Sequence, residues 1–289
     1  MTLILTAGER QIDLSSPVCM GIINATPDSF SDGSQLSKRS SKNFQIDVDK
    51  ALHRAETMVR EGAIFIDVGG ESTRPGAASI SLQEELDRVL PVIQSLKKNI
   101  DVCISVDTST PAVMLEAIKA GAELINDVRA LSHPQALSVV SESNAAVCLM
   151  HMQGAPVSMQ DSVSYENVVD EVLAFLHSKV QLCRDQDIES ERIIVDPGFG
   201  FGKSVKHNYQ LLKHLSRFTE FNLPVLVGLS RKSMIGTVVD RPVDQRLAGS
   251  IAATSYALIG GANIIRTHDV AATIDVIRVN SAFSSNGHE

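Results

Sequence analysis

Eight short apolar runs recur along this chain of 289 residues, and each run ends on a side chain capable of polar chemistry. The runs end at Asn24, Asp67, Asp107, Asn126, His151, Asp196, Ser230 and Arg266. Between consecutive runs the chain is long enough for one helix, so the pattern predicts eight β-then-α units. Such units build parallel barrels, which place their chemistry at the carboxyl ends of the strands. We therefore predict an α/β fold, a (β/α)8 TIM barrel.

The segments between the runs carry apolar residues at helical spacing. These segments are residues 46–60, 82–98, 111–120, 134–142, 165–184, 207–218, 246–259 and 270–283. An open, doubly wound sheet is the alternative architecture, but its polar strand ends should gather near one switch point. Here every unit offers a polar end, which favours the closed barrel.

The chain begins with a short segment of alternating apolar residues. Residues 2–14 alternate on both sides of a turn at Gly8 and Glu9, which predicts a hairpin covering the lower mouth of the barrel. A barrel of about 250 residues would use nearly all of the remaining chain. We predict a single domain over 1–289, with the hairpin in 1–17, the barrel in 18–283 and a tail in 284–289.

Charge and composition exclude several classes of partner. The chain has 26 basic and 34 acidic residues, a formal charge of −8, which argues against nucleic acid as a partner. No run approaches the ~20 apolar residues of a membrane span, and the N-terminus does not resemble a signal peptide. The four cysteines form no C-x-x-C pair, and most lie in predicted buried strands. We expect reduced thiols, a cytoplasmic location and small-molecule partners.

Three polar strand ends suit a flat heterocycle. Asp107, Asn126 and Asp196 end the third, fourth and sixth runs and should converge on one mouth of the barrel. A carboxylate matches an N–C–N edge with two parallel hydrogen bonds. An Asp after a strand is also a common helix cap, so the prediction depends on the three residues together.

The segment DPGFGFGKS over residues 196–204 matches two nucleotide-binding motifs only superficially. A P-loop would need glycine where Pro197 stands, and a dinucleotide fingerprint would not have alternating glycines. The segment instead predicts a loop that presents Phe199 and Phe201. Either ring could stack on an aromatic ligand or pack in the core.

Two adjacent strand ends predict an anion site. Ser230 and Lys232 share one face after the seventh strand, as do Arg266 and His268 after the eighth. The loops after strands seven and eight are the favoured anion site of such barrels. The pattern therefore indicates a phosphate or carboxylate ligand.

Four further polar residues are interpreted individually. Arg74, in the long loop after the second strand, could close over the same anion. Asn24 could offer one oxygen to a Mg²⁺ ion that takes its other ligands from water and a diphosphate. We interpret His151 as a supporting structural residue and Asp67 as an organiser of the second loop.

Together these motifs resemble a known family. MGIINATPDSFSDG, IDVGGESTRPGA, SVDTSTP, INDV, CLMHMQG, DPGFGFGKS, GLSRKSMIG and IIRTHD resemble the dihydropteroate synthases of bacterial folate biosynthesis. The resemblance runs from about residue 18 to 279 and includes all eight strand ends. It implies a (β/α)8 barrel, a homodimer, Mg²⁺ as cofactor and an enzyme of the kind that sulfonamides target. The implied reaction joins 7,8-dihydropterin-6-ylmethyl diphosphate to 4-aminobenzoate and releases diphosphate, through a dissociative substitution that Mg²⁺ assists.

The resemblance also implies a role for individual residues. The residues implied to hold the pterin are Asp107, Asn126, Asp196 and Lys232. Arg74, Arg266 and His268 are implied to bind the diphosphate, and Asn24 the Mg²⁺ ion. The aminobenzoate site is implied to comprise Thr73, Pro75, Phe30, Phe201 and Ser233. The catalytic roles are assigned to Lys232, Arg266, His268 and Asp107.

The chain departs from the family pattern mainly in the loop after Gly33, which is longer than usual and rich in Ser, Lys and Arg. A pterin-binding methyltransferase that serves a corrinoid partner is one alternative, but it has no need of ESTRPG and SRKS. A non-catalytic scaffold is the other alternative. It should have lost some of the ligand-binding residues, and all five of these are present: Asn24, Arg74, Lys232, Arg266 and His268.

Overall fold

The computed structural model describes residues 3–26, 46–72, 80–154, 159 and 163–285. In this part of the chain an antiparallel pair, β1 (Ile4–Ala7) and β2 (Arg10–Asp13), precedes eight parallel strands. The eight strands are β3 (Val18–Asn24), β4 (Ala63–Gly69), β5 (Cys103–Asp107), β6 (Leu124–Asp127), β7 (Ala146–Met150), β8 (Ile193–Asp196), β9 (Leu226–Gly228) and β10 (Ile264–Thr267).

The parallel strands close into a barrel. Their hydrogen-bonded order is β8-β7-β6-β5-β4-β3-β10-β9. A parallel bridge between Val195 and Val225 joins the two ends of this order. Across the same seam, the backbone N–H of Val195 donates to the carbonyl oxygen of Pro224 at 3.0 Å. The predicted (β/α)8 barrel with an N-terminal hairpin is confirmed, and the open-sheet alternative is wrong.

Helices surround the barrel and pack against the outward-facing strand residues in one large apolar cluster. The helices in the described ranges are α1 (Val48–Arg60), α2 (Leu82–Asn99), α3 (Pro111–Ala120), α4 (Ala136–Ser141), α5 (Val168–Arg184), α6 (Val205–Lys213), α7 (Ser233–Val239), α8 (Leu247–Ile259) and α9 (Val270–Ser285). Side chains cap the first turns of four of them, α1, α2, α5 and α6, where the acceptors are Asp47, Ser81, Asn167 and Ser204. Over the same ranges, no helix is both long enough and apolar enough to cross a membrane.

Two helical segments differ from the sequence prediction. The predicted helix 207–218 is α6 followed by a separate 3-10 helix, Leu215–Phe221, because the helical backbone is interrupted at His214. The short helix α7 has no strong sequence signal, since Gly236 and several β-branched residues are weak helix formers. Burial of Met234 and Ile235 stabilises it instead.

Alternation along the strands divides the barrel interior into an apolar lower layer and a polar upper layer. The lower layer comprises Met20, Phe65, Cys103, Leu124, Ala146, Cys148, Ile194, Leu226 and Ile264, which cluster with Leu5, Ala7 and Leu14 of the hairpin segment. The inward positions closer to the carboxyl ends of the strands hold Asp67, Ser105, Asn126, Asp196 and Arg266. The lower layer therefore forms an apolar floor beneath a polar mouth.

The hairpin closes the lower end of the barrel. The backbone N–H of Gly8 donates to the carbonyl oxygen of Asn144 at 2.9 Å, just before β7 begins. Arg10 Nε donates to Glu123 Oε2 at 2.9 Å, just before β6 begins. Both partners lie at the amino-terminal ends of barrel strands, so the predicted cover over the lower mouth is confirmed.

We expect Leu5→Ala to lower the free energy of unfolding by roughly 2–5 kcal/mol, because it deletes a fully buried side chain from the floor of the barrel. Urea denaturation checks this. Thr6→Ala is the matched control, since Thr6 is half-buried on the opposite face of β1. Equal losses for the two variants would show that the hairpin does not contribute through its inner face.

Candidate functional site

The polar mouth lies at the carboxyl ends of the barrel strands. We define it by Asn24, Asp67, Asp107, Asn126, Asp196, Ser230, Lys232, Arg266 and His268, which lie on the parallel strands or directly after them. The strand register places several of these residues at one height. Asp107 pairs with Asn126 across β5 and β6, and Asp196 pairs with Met150 across β7 and β8. Side chains that are far apart in the sequence therefore face one space.

Asp67 lies at the centre of the polar layer and is fully buried. Its Oδ1 accepts a hydrogen bond from Ser105 Oγ at 2.5 Å. Its Oδ2 accepts from Asn126 Nδ2 at 3.0 Å and from Arg266 Nε at 2.6 Å. The interpretation of Asp67 as a loop organiser is wrong, because β4 continues to Gly69 and Asp67 points into the barrel.

Arg266 connects Asp67 to Asp107, because its Nη2 donates to Asp107 Oδ2 at 3.0 Å. Burial alone would lower the pKa of Arg266, but the two carboxylates outweigh burial and raise it. Burial raises the pKa of Asp107 to about 7, although the Arg266 charge opposes this rise. The guanidinium is therefore permanently charged, whereas Asp107 titrates near neutral pH.

Asp196 and Lys232 carry opposite charges on the other side of the mouth and interact electrostatically. Asp196 Oδ1 accepts from the backbone N–H of Gly198 at 2.7 Å. Burial raises the pKa of Asp196 while the Lys232 charge opposes the rise. Burial likewise lowers the pKa of Lys232 to about 8, opposed by Asp196. Lys232 Nζ donates to the carbonyl oxygen of Phe199 and lies 4.7 Å from the ring centroid of Phe201.

The loop after β8 is organised by Lys203, which is only 3% exposed. Its Nζ donates to the carbonyl oxygens of Gly198 at 2.8 Å and Phe201 at 3.0 Å. Phe199 is fully buried in the core, whereas Phe201 is half-buried at the mouth. Of the two rings, only Phe201 is therefore placed to meet a ligand.

His151 supports the same loop from the end of β7. Lys203 Nζ lies 2.9 Å from His151 Nδ1, and the His151 ring packs edge-on against Phe175 at 5.0 Å between centroids. Burial, together with the Lys203 charge, lowers the pKa of His151 to about 3. The ring is therefore a neutral acceptor in a packed position. Sequence reasoning missed Lys203, because a lysine that follows alternating glycines ordinarily indicates an exposed loop.

The ends of β3, β9 and β10 meet at a second corner of the mouth. His268 Nδ1 lies 3.0 Å from Ser230 Oγ, and His268 Nε2 lies 3.4 Å from Asn24 Nδ2. Arg231 Nε donates to Asp269 Oδ2 at 2.9 Å and so ties the loop after β9 to the loop after β10. The structure thus brings together Asn24, Ser230 and His268, which the sequence analysis assigned to an anion and its metal.

Asn24 can offer one amide oxygen to a cation, since its Nδ2 is turned toward His268. Within the described ranges, no group of three or more His, Cys, Asp or Glu side chains could hold a metal ion. Mg²⁺ typically retains several waters and takes phosphate oxygens from its substrate. Asn24 therefore fits Mg²⁺ as a single protein ligand beside a diphosphate.

Four of the assigned residues, Phe30, Thr73, Arg74 and Pro75, lie outside the described residues. Ser233 is the first residue of α7 and is exposed directly after Lys232. The described mouth therefore contains the residues assigned to the pterin and two of those assigned to the diphosphate. Phe201 and Ser233, two of those assigned to the aminobenzoate, adjoin the mouth beside Lys232.

Comparison with known proteins supports a pterin as the ligand of this mouth. The model of the pterin-binding enzyme family matches residues 20–268. A dihydropteroate synthase from Haemophilus influenzae is 52% identical over 275 residues, which cover 95% of this chain and 97% of that protein.

Solved structures give the same result. The dihydropteroate synthase of Yersinia pestis, in a sulfonamide drug complex, superposes with a TM-score of 0.91 at 48% identity and covers 98% of this chain and 99% of that one. The dihydropteroate synthase of Xanthomonas albilineans, with 4-aminobenzoic acid, has a TM-score of 0.89 at 44% identity, with the same coverage of 98% and 99%.

Proposed function

The chain belongs to the dihydropteroate synthase family of transferases, and we propose that it joins 7,8-dihydropterin-6-ylmethyl diphosphate to 4-aminobenzoate and releases diphosphate. The observation that carries this proposal is the composition of the mouth. Acceptors and cations from seven different strands or strand ends surround one space above an apolar floor. This arrangement suits a flat heterocycle that bears an anionic tail.

The pterin would bind through the hydrogen-bonding groups of its pyrimidine ring. The ring presents an N–C–N edge of donors, which the Asp196 carboxylate can meet with two parallel hydrogen bonds. The adjacent ring carbonyl would accept from Lys232. Asn126 and Asp107 lie across the mouth, where they would bind the remaining ring nitrogens. Each ligand group thereby finds a partner of opposite hydrogen-bonding character.

The aminobenzoate would bind at the outer part of the mouth. Phe201 supplies an aromatic face there, and Ser233 lies at the exposed start of α7. Thr73, Pro75 and Phe30 would complete this site from the two long loops. The similarity to the Xanthomonas albilineans protein with 4-aminobenzoic acid supports this assignment. The sulfonamide complex of the Yersinia pestis protein likewise supports this chain as a sulfonamide target.

The substitution would proceed by dissociation. The bond between the methylene carbon and the diphosphate oxygen breaks, and its electron pair leaves with the diphosphate. The electron-rich pterin ring stabilises the resulting cation until the arylamine nitrogen bonds to the carbon and loses its proton to water. Arg266, His268 and Arg74 would stabilise the leaving charge. Bound Mg²⁺, held by Asn24, would add positive charge at the diphosphate oxygens.

Diphosphate release tests the proposed function. Purified protein with Mg²⁺ and the pterin diphosphate should release diphosphate and form dihydropteroate when 4-aminobenzoate is added. Absence of release, with or without 4-aminobenzoate, would favour a non-catalytic pterin-binding scaffold. Binding of methyltetrahydrofolate without any diphosphate release would favour the methyltransferase alternative.

We expect Asp196→Asn to raise the Kd for 6-hydroxymethyl-7,8-dihydropterin by about tenfold or more, because one of two charge-assisted hydrogen bonds is lost. The Kd for 4-aminobenzoate, measured at saturating pterin, should change by less than about threefold. Isothermal titration calorimetry measures both constants. Asp170→Asn, on the exposed surface of α5, is the matched control. Equal effects on the two ligands would argue against pairing at the pterin edge.

We expect kcat/KM for the pterin diphosphate to fall as the pH rises through about 8, the pKa to which burial lowers Lys232. Below that pH the ammonium is charged and donates strongly, and above it the charge is lost. Lys232→Arg should move the alkaline limb upward, since a guanidinium stays charged in this range. An unchanged limb in this variant would assign the titration to another group.

We also propose a homodimer and a cytoplasmic location. The neighbouring helices α8 and α9 expose several large apolar side chains. They are Tyr256, Ile259, Val279 and Phe283. An exposed apolar patch of this kind usually marks an interface with another protein chain. Sedimentation velocity should give the mass of two chains. The four buried free cysteines fit a reducing compartment.

A further inference from the structure

Asp67 accepts hydrogen bonds from three side chains of the polar layer, those of Ser105, Asn126 and Arg266. It is fully buried and therefore lies too deep to contact the proposed substrates directly. We infer that Asp67 is a positioning residue: it sets the orientation of the Asn126 amide and of the Arg266 guanidinium. This inference rests on the proposed function and deepens it. It assigns the specificity of the heterocycle site partly to a residue that the ligand does not contact.

The first step concerns the Asn126 amide. An ionised carboxylate can only accept hydrogen bonds, so the amide must turn Nδ2 toward Asp67. The carbonyl oxygen is then held on the other side of the amide, where it can accept from a ring N–H. An amide that turned over would offer a donor at this position, and the ligand would lose one hydrogen bond. Asp67 thereby selects ligands that donate at this place.

The second step concerns Arg266. Its Nε donates to Asp67 at 2.6 Å and its Nη2 donates to Asp107 at 3.0 Å. A guanidinium is planar, so these two contacts set both its plane and the directions of its remaining N–H groups. Without Asp67, the group could pivot about Asp107 and its charge would be less well oriented toward the leaving diphosphate.

The third step concerns solvent, because water cannot take over the role of Asp67 as hydrogen-bond acceptor. Its side chain is fully buried, and Ser105 Oγ donates to the oxygen that does not contact Asn126. Water therefore has no access to the Asp67 carboxylate and cannot take its place as the acceptor for either partner. Both orientations depend on one carboxylate, which predicts that a single substitution will affect pterin binding and diphosphate release together.

A double-mutant cycle tests the action through Asn126. The variants are Asp67→Asn, Asn126→Ala and the two combined, and the probe is 6-hydroxymethyl-7,8-dihydropterin titrated by calorimetry. Asp67→Asn should raise its Kd about tenfold or more in the wild-type background, as expected for loss of a charged acceptor. In the Asn126→Ala background the same change should have an effect below about threefold. The same factor in both backgrounds would overturn the inference.

Asp127→Asn is the matched control. Asp127 is a buried carboxylate that directly follows Asn126 on β6. It accepts from Ser109 Oγ and from the backbone N–H groups of Arg129 and Leu131, not from Asn126 or Arg266. This control should lower the Tm while leaving the Kd for the pterin within about twofold. If Asp67→Asn lowered the Tm and left the Kd equally unchanged, Asp67 would be a structural residue only.

A swapped pair keeps the test decisive if Asp67→Asn does not fold. Asn126→Asp alone places two acceptors against each other, whereas Asp67→Asn combined with Asn126→Asp again places a donor against an acceptor. The swapped protein should bind the pterin more tightly than Asn126→Asp alone, and equal or weaker binding would overturn the inference. Diphosphate release by the wild-type protein separates this outcome from failure of the proposed function.

Discussion

Replacing Lys232 with alanine should lower kcat/KM by about 10²–10³-fold while the protein stays folded. In the proposed reaction the ammonium donates to the pterin carbonyl and compensates the Asp196 charge. The side chain is half-buried and contacts the carbonyl oxygen of Phe199 and the ring of Phe201. Its removal takes one donor from the Phe199 carbonyl oxygen, whereas Gly198 still donates to the buried Asp196, so we expect only a modest loss of stability. Activity should therefore fall far more than stability.

Lys206→Ala is the matched control for this experiment. Lys206 is exposed on α6, so its removal deletes a lysine of similar sequence context without touching the mouth. Steady-state kinetics and thermal unfolding should be measured for both variants. Near-normal turnover of folded Lys232→Ala would refute the assigned role. A large loss in both variants would indicate a general effect of surface charge.

The parts of the site that were predictable from the sequence are those that depend on strand alternation. Asp107, Asn126, Asp196 and Arg266 each occur at or near the end of a short apolar run. Once eight such runs are assigned to parallel strands, their carboxyl ends must meet at one mouth. The hairpin was predictable for a similar reason, because its period of two and its Gly8 turn are local signals.

Other features depend on tertiary contacts that a local pattern does not contain. Asp67 looked like the end of a strand, but β4 extends two residues further, which places its side chain deep in the barrel. Lys203 carried no signal in the sequence, and its burial depends on acceptors contributed by His151 and by its own loop. The helix α7 is stabilised by packing rather than by propensity. In each case the environment of the residue, and not its type, determines its role.

Arg266→Ala should have a larger effect than the loss of Lys232, because it removes the cation shared by the buried Asp67 and the partly buried Asp107. Breaking a buried ion pair by removing one partner costs about 3–5 kcal/mol. We therefore expect a lower urea midpoint together with a loss of about 10³-fold or more in kcat/KM. Exposed Arg278 on α9 provides the control, since Arg278→Ala should change neither quantity measurably.

Arg266→Lys separates the charge of this residue from its geometry. An ammonium can neutralise the buried carboxylates, but it cannot donate in one plane to Asp67 and Asp107 and still present further N–H groups to a diphosphate. We expect this variant to recover most of the stability lost in Arg266→Ala and only a small part of kcat/KM. Full recovery of both quantities would show that positive charge alone is required. Recovery of stability without activity would show that the direction of the guanidinium N–H groups, which Asp67 and Asp107 set, is what assists departure of the diphosphate.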